Sequence, residues 1–384
     1  YFASPIGAAT HAILQAPHPS IRQISKAPYR VLSAPDLEDD FYLNLLDWSA
    51  RNIIAVALGS TVYVCSGNSF EAKRVFDAST HKPNDFVTSI RWDQRGTTLS
   101  VGTESGRLYL FDAVKLTLIR MYIGAHDLKI GCLAWNGDLL SSGSRDRHIH
   151  HRDVRQDTRG PVHISTGHKQ EVCGLQWSNG ASTSSDLAAG NLGGVDGLLA
   201  SGGNDNKVII WDLRGSQRPR TRVPASSDYL FKFHSHTAAV KALAWDPHER
   251  GVLASGGGSN DQSIRWWNCI TGDLLQTVDT GCQVCGLAYS PTSREIVSTH
   301  RCAYRGGPNP ICIWKYPSLE MIANLPGHIE RPLYLSMSPD GQSIVTGAGG
   351  RDQTLRFWLV FPRTTGEKRK FEDESRLDYA RQLR

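Results

Sequence analysis

Short alternating runs of apolar residues, separated by turns rich in Gly, Asn and Asp, fill most of this chain of 384 residues. The run "VIIWD" at 208–212 has the period of two that is typical of a β-strand with one buried face. The preceding "GGNDN" supplies residues that favour a tight turn between strands. The pattern therefore predicts an all-β protein built from many short strands.

One strand pattern recurs seven times, in "LNLLDW", "FVTSIRW", "KIGCLAW", "EVCGLQW", "AVKALAW", "QVCGLAY" and "RPLYLSM". The residues that close it are Trp48, Trp92, Trp135, Trp177, Trp245, Tyr289 and Met337. Neighbours are 42–48 residues apart, with one interval of 68. A repeat of about 40–45 residues that holds four short strands is typical of a propeller blade. We therefore predict one seven-bladed WD-repeat β-propeller over residues 28–362.

Several repeats carry further marks around this strand. A small residue and a His precede it at Ala125-His126, Gly167-His168, Ser235-His236 and Gly327-His328. An acidic residue occupies the middle turn at Glu104, Asp146, Asp205, Asp261 and Asp352. A buried carboxylate that accepts hydrogen bonds would lock such a turn against the preceding loop. Asp205 is thus explained by the fold, whereas Asn206 beside it is free to contact a ligand.

The ends of the repeat array need separate interpretation. The long interval contains Gly/Ser-rich and basic stretches at 178–197 and 215–227, which we interpret as solvated loops. Blade seven lacks a fourth strand after "LRFWLV", and "YRVLSA" at 29–34 can supply it and remove the last exposed edge. We expect residues 1–27 to be disordered and 363–384 to be a solvated tail. Because residue 1 is Tyr, we expect that a natural N-terminus is missing.

Composition excludes several classes of function. With 40% hydrophobic and 21% charged residues and a net charge of +5, the chain reads as an ordinary soluble protein with no case for nucleic acid or a membrane. Its eight scattered cysteines do not resemble a disulfide framework and fit a reducing compartment, the nucleus and cytoplasm.

The sequence offers little for catalysis, metals or cofactors. In "HIHH", His148 and His150 share one face of a strand while His151 takes the other, which makes a weak metal site. Cys282 and Cys285 form a lone C-x-x-C pair without a second pair at zinc spacing. No nucleophile elbow, Walker loop or dinucleotide fingerprint occurs. We expect a binding scaffold with no cofactor, rather than an enzyme.

Longer strings carry a more specific resemblance. "SKAPYRVLSAPDLEDDFYLNLLDWS", "LSSGSRDRHIHHRDVR", "LASGGNDNKVIIWD", "HTAAVKALAWDPHERGVLASGGG" and "ICIWKYPSLEMIANLPGH" resemble the fizzy / cell-division-cycle-20 family of co-activators of the anaphase-promoting complex. The resemblance covers about 26–362, and "HIHHRDVR" favours the fizzy over the fizzy-related branch. It implies a protein that recruits substrates to a ubiquitin ligase and has no catalytic role of its own.

The resemblance also implies binding residues for two degradation signals (degrons). For the KEN degron, the matching positions are Asp47, Asn206, Ser259, Gln283 and Arg331. A carboxylate, a guanidinium and amides suit Lys, Glu and Asn respectively. The destruction box binds between blades one and seven in the family, where Asp40 matches the acid that pairs with its Arg. Gln353 replaces a family Glu there, and Asp352 is adjacent.

Further expectations follow from the same resemblance. The terminal Leu383-Arg384 matches an Ile-Arg tail that docks on the ligase. Partners would be subunits of the anaphase-promoting complex, substrates such as cyclins and securin, and spindle-checkpoint proteins. The "RCAYRGGPNP" stretch at 301–310 departs from the family pattern. Two alternatives stay open: a generic WD-repeat scaffold of a histone- or RNA-associated complex, and an enzyme.

Overall fold

Seven four-stranded antiparallel sheets form the propeller in the computed structural model. The structure describes residues 24–113, 115–156, 160–178, 197–213, 229–302 and 309–361. The described strands are β1 (Arg30–Ser33), β2 (Leu46–Trp48), β3 (Ile53–Leu58), β4 (Thr61–Ser66), β5 (Ala72–Asp77), β6 (Val87–Trp92), β7 (Thr98–Thr103), β8 (Leu108–Asp112), β9 (Thr117–Tyr122), β10 (Ile130–Asn136), β11 (Leu139–Ser144), β12 (His148–Asp153), β13 (His163–Thr166), β14 (Val172–Trp177), β15 (Leu198–Gly203), β16 (Val208–Asp212), β17 (Tyr229–Phe233), β18 (Val240–Trp245), β19 (Val252–Gly257), β20 (Ser263–Asn268), β21 (Asp273–Asp279), β22 (Gln283–Tyr289), β23 (Glu295–Arg301), β24 (Asn309–Lys315), β25 (Glu320–His328), β26 (Pro332–Met337), β27 (Ser343–Ala348) and β28 (Thr354–Leu359). A 3-10 helix at Ala78–Thr80 joins blades one and two.

The blades follow the chain in order, as the repeat predicts. Blades one to six are β2–β5, β6–β9, β10–β13, β14–β17, β18–β21 and β22–β25, and blade seven is β26–β28 with β1. The first strand of each blade is innermost, and all seven predicted closing residues lie at or next to the end of such a strand. The fold class is therefore confirmed. The predicted disordered segment, both long loops and the C-terminal tail lie wholly or mostly outside the described residues.

The ring closes with the N-terminal strand, as predicted. β1 pairs antiparallel with β28, from Arg30 opposite Phe357 to Ser33 opposite Thr354. Beyond the strand, the Ala34 backbone N–H donates to the Gln353 carbonyl at 2.7 Å. The outer edge of β28 is thereby covered by the same chain.

The predicted His–acid lock is present in blades three, four, five and seven. In blade five the His236 ring joins Asp261 at 2.6 Å to the Ser255 hydroxyl at 2.7 Å, and Trp267 donates to the same hydroxyl. Blades four and seven repeat this arrangement, and in blade three Arg152 replaces the Trp. These contacts tie the loop before the first strand to the turn between the second and third strands.

Blades two and six use other residues for the corresponding contacts. In blade two the Glu104 side chain is exposed, and the buried acid is Asp85, whose carboxylate accepts from the Ser105 backbone and hydroxyl. The expected role for Glu104 is therefore wrong, because the carboxylate comes from the loop before the blade. In blade six the His is His300 of the second strand, which bonds Ser298 at 2.6 Å, and Trp314 donates to that hydroxyl.

One cysteine pair departs from the expectation of reduced thiols. Gln283 pairs with Arg301 across β22 and β23, so Cys282 and Cys302 lie opposite each other one residue further on, and they form a disulfide. The other six cysteines are free and buried. Burial raises the pKa of the Cys65 thiol to about 11 and that of Cys312 to about 12, so both are poor nucleophiles at neutral pH.

The disulfide has a measurable expected effect. Cys282→Ser with Cys302→Ser should lower the free energy of unfolding by about 3 kcal/mol, because the bond closes a loop between residues 20 apart and restricts the unfolded chain. Guanidinium unfolding of both proteins without reductant measures the difference. Wild type with reductant is the matched control and should behave like the double variant. Equal midpoints for all three samples would contradict the bond's contribution.

Candidate functional site

Four of the predicted binding residues lie on one face of the propeller. The upper face, as we define it, is the end where the first strand of each blade begins and the second and third strands turn. Gln283 begins β22 and Arg331 directly precedes β26. Ser259 and Asn206 lie in the turns β19–β20 and β15–β16. The repeat therefore brings these four positions to the same side of the ring.

The structure places Asp47 elsewhere. It is one residue from the end of β2, hence towards the lower face, and is 6% exposed. Its carboxylate accepts from the Trp92 backbone at 2.8 Å and from the Ser336 hydroxyl at 3.2 Å. The expected grouping of Asp47 with the other four is therefore wrong, because its position near the closing Trp sends it to the opposite end of the strand.

Asp47 lines a cavity of about 420 Å³ towards the lower face. Its rim includes the aromatic residues that close the first strands, among them Trp48, Trp177, Trp245 and Tyr289. The cavity follows from the repeat itself, since every blade contributes residues of its innermost strand.

Asp40 precedes β2 and is an acid that does lie on the upper face. Its Oδ1 accepts from the Tyr42 backbone at 2.9 Å, and its side chain is 42% exposed. The Lys129 ammonium lies 3.6 Å from Asp40 Oδ2 and 3.3 Å from Glu171 Oε1. Burial raises the pKa of Glu171, and Lys129 opposes that shift. Asp40 is thus a solvent-accessible carboxylate that keeps room for a ligand cation.

A neighbouring hydrogen-bond chain brings in Asn204. The Tyr42 hydroxyl donates to Asn204 Oδ1 at 2.7 Å, and Asn204 Nδ2 donates to Gln170 Oε1 at 2.8 Å. We call Asp40, Tyr42, Lys129, Glu171 and Asn204 the upper-face cluster. Of these residues the sequence predicts only Asp40 as a site residue, and Asn204 is the first Asn of the "GGNDN" turn.

Asn206 lies apart from the upper-face cluster. Its Nδ2 donates to the Thr237 carbonyl of blade five at 3.0 Å. Its φ of 64° falls in the left-handed region, which Asn tolerates better than most residues. Arg147, Gln262 and Gln353 follow the turn acid in other blades with the same sign of φ. Asn206 therefore has a turn role as well as an amide oxygen for a ligand.

Asp352 does not match the role expected from its position. Its side chain is fully buried, and it accepts from the His328 ring and from the Ile329 backbone. Burial opposes ionisation, yet the hydrogen bonds of His328 and Thr354 hold the pKa of Asp352 below its usual range. This carboxylate serves the turn and is closed to a ligand. Gln353 remains partly exposed beside the segment that leaves β1.

Arg331 is already engaged with the segment before blade one. Its Nε donates to Asp39 Oδ1 and its Nη2 to the Asp39 carbonyl, each at 2.6 Å. The Tyr334 hydroxyl donates to the Glu38 carbonyl at 2.7 Å. Blade seven thus holds residues 38–39 directly beside Asp40, and the Arg331 side chain remains 15% exposed.

Two more residues line the interior near this face. Gln283 is 6% exposed, and no donor among the described residues reaches its Oε1. Lys241 of blade five donates to the carbonyls of Leu43 at 2.7 Å and Leu333 at 3.2 Å, which joins blades one, five and seven. Burial lowers the pKa of Lys241 to about 8. The Gln283 oxygen is thus a buried acceptor without a donor among the described residues. Such an acceptor is costly, which suits a position that a ligand completes.

Comparisons with known proteins show the family of this chain. The CDC20/Fizzy WD40 domain matches residues 32–358, well over half of the chain. This chain belongs to the CDC20/Fizzy family. It is 44% identical over 364 residues to the WD repeat-containing protein srw1 of Schizosaccharomyces pombe, covering 94% of this chain and 58% of srw1. It is 44% identical over 344 residues to the anaphase-promoting complex subunit cdc20 of Dictyostelium discoideum, covering 89% of this chain and 62% of that protein.

A solved structure also supports the fold. A chain in the crystal structure of a mitotic checkpoint complex superposes with a TM-score of 0.77 at 40% identity, covering 91% of this chain and 96% of that one. This chain is also 45% identical over 370 residues to the meiotic fizzy-related protein 1 of S. pombe and covers 79% of that protein. Since fizzy-related and cdc20 relatives are about equally similar, the branch stays a prediction.

The structure also bears on the hypotheses of a metal site in "HIHH" and of a membrane span. His150 stacks on His126 at 3.9 Å and His151 faces His163, on opposite sides of β12 as predicted. Among the described residues, no group of three His, Cys, Asp or Glu is arranged to hold a metal ion. In the same ranges, no helix is long and apolar enough to cross a membrane.

Proposed function

We propose that this chain is a substrate-recognition co-activator that binds KEN and destruction-box degrons and recruits cell-cycle substrates to the anaphase-promoting complex. Membership of the CDC20/Fizzy family supports the general role. The observation that carries the degron assignment is the set of polar groups on the upper face, where the exposed Asp40 carboxylate lies next to the segment held by Arg331.

The chemistry of this face suits short charged peptides. Asp40 offers an acceptor for Arg, and the part of Arg331 that remains exposed offers donors for a carboxylate. Ser259, Asn206 and the Gln283 oxygen, which no donor among the described residues reaches, add neutral groups for an amide. Asp40 keeps its assignment to the Arg of the destruction box, Asp47 is withdrawn from the KEN set, and Asn204 joins the candidate residues. Gln353 has no charge for a ligand Arg, so Asp40 is the principal acid.

Partners follow from the same proposal. The name of the Dictyostelium relative and the checkpoint complex that contains the solved neighbour favour the anaphase-promoting complex and checkpoint proteins as partners. We include cyclins and securin as substrates and the nucleus and cytoplasm as locations. Leu383-Arg384 would dock on the ligase; both residues lie outside the described ranges. Because the chain spans 58% of srw1, activities of the whole relatives are part of the proposal.

The KEN assignment is tested by changing two groups on the upper face. Asn206→Gly with Arg331→Ala should weaken a KEN peptide at least about tenfold in calorimetry, since a charge-assisted contact and an amide are lost. Gly keeps the left-handed turn conformation without strain. Asp138→Asn, which removes an acid from the turn β10–β11 of the lower face, is the control and should leave affinity unchanged. Equal affinity of wild type and the double variant would contradict the assignment.

A further inference from the structure

Lys129 lies between two carboxylates of very different exposure. Its side chain is 8% exposed, that of Glu171 is 10% exposed and that of Asp40 is 42% exposed. The ammonium is 3.3 Å from Glu171 and 3.6 Å from Asp40. It also lies 5.5 Å from the centre of the Tyr42 ring. One buried cation thus serves a buried acid and an exposed acid.

The energetics of the two pairs differ. A buried carboxylate without a countercharge is strongly destabilising, so Glu171 requires Lys129. Asp40 faces solvent and tolerates its charge with a weaker contact. Arg145 also acts on Glu171 electrostatically, but its side chain is exposed. With Lys129 held by Glu171, the three residues carry one net negative charge, and Asp40 is the accessible place for it.

We propose that Glu171 is a positioning residue for degron binding, which retains Lys129 in the interior and so leaves Asp40 to pair with the Arg of the destruction box. This inference rests on the proposed function. Glu171 does not touch the ligand in this scheme. Without its charge, Lys129 would turn to Asp40 as its remaining partner and compete with the Arg of the ligand.

The test begins with Glu171→Gln, which keeps the shape of the side chain and removes its charge. A destruction-box peptide should bind this variant about tenfold more weakly than wild type in calorimetry. The same peptide with its Arg replaced by Ala should bind both proteins equally. Asp40→Asn should weaken the Arg peptide and leave the Ala peptide unchanged, which shows that the Arg contact is being measured.

A second variant separates positioning from a general structural effect. In Lys129→Met with Glu171→Gln the competitor is also gone, so binding of the Arg peptide should return to the wild-type level or exceed it. If both residues only stabilise the fold, the losses of affinity from the two substitutions would add. The double variant would then bind the Arg peptide no better than Glu171→Gln. That result, or an unchanged affinity of Glu171→Gln, overturns the inference. Failure of wild type to bind the Arg peptide would instead overturn the proposed function. Unfolding curves at pH 7 confirm that each variant is folded.

Discussion

A chain that lacks residues 28–35 is expected to unfold with a free energy lower by several kcal/mol, on the order of 5 kcal/mol, and to associate at high concentration. The deletion removes β1, whose four residues pair with β28, and also the contact from Ala34 to Gln353. Each lost hydrogen bond contributes about 1 kcal/mol. The side chains of β1 are largely exposed, so pairing accounts for more of the loss than apolar burial.

Guanidinium unfolding and size-exclusion chromatography measure the two effects of this deletion. Association follows because the uncovered edge of β28 can pair with another chain. Val31→Thr is the matched control, since that side chain is 47% exposed and the substitution leaves the strand intact. A deleted protein with the wild-type midpoint and elution volume would show that closure by β1 contributes nothing.

Acid should destabilise the propeller well above the pH at which most carboxylates titrate. Burial lowers the pKa of His151 to about 3 and that of His300 to about 4, from an unfolded value of 6.5. Between pH 6.5 and 4 the unfolded chain therefore binds protons at both residues that the native state does not bind. Stability falls as the pH falls, by about 1.4 kcal/mol per pH unit for each residue.

Other histidines act in the same direction. Burial lowers the pKa of His126, His236 and His328, although their Asp partners oppose the shift. The lowered pKa of Asp261 and Asp352 adds a further loss of stability at still lower pH, as those carboxylates become protonated.

Urea unfolding at pH 7, 6 and 5 measures the slope of stability against pH. His300→Gln removes one titrating group and should reduce the mean slope by about 1 kcal/mol per pH unit, because the unfolded His is only partly protonated near pH 6.5. Val31→Thr, which changes an exposed side chain that does not titrate, is the control and should leave the slope unchanged. A free energy of unfolding that is the same at pH 7 and pH 5 would contradict the role of the buried histidines.

Much of this architecture could be predicted because a propeller repeats local signals. The closing aromatic residues mark the innermost strands, and the missing fourth strand of blade seven led to β1 within one residue at each end. Glu104 shows the limit of the method. An acid at the right spacing was visible, but the acid that is buried, Asp85, comes from the loop before the blade.

The upper-face cluster was harder to predict, because its contacts link distant residues. Tyr42 and Asn204 are 162 positions apart, and no local pattern pairs them. Asp47 was misplaced since motif position alone says nothing about which end of a strand carries the ligand groups. The Cys282–Cys302 bond needs the register of β22 and β23, which spacing does not supply.

In blade six a covalent bond holds the loop before the first strand, whereas four other blades hold that loop by the His–acid lock. In blades three, five and seven, the His comes from that loop and burial lowers its pKa, so acid acts directly on this contact. In blade six, His300 belongs to the second strand, and the disulfide of Cys282 does the fastening. The ring therefore has one blade that thiol reductants should loosen and three that acid should loosen, so the two treatments act on different blades.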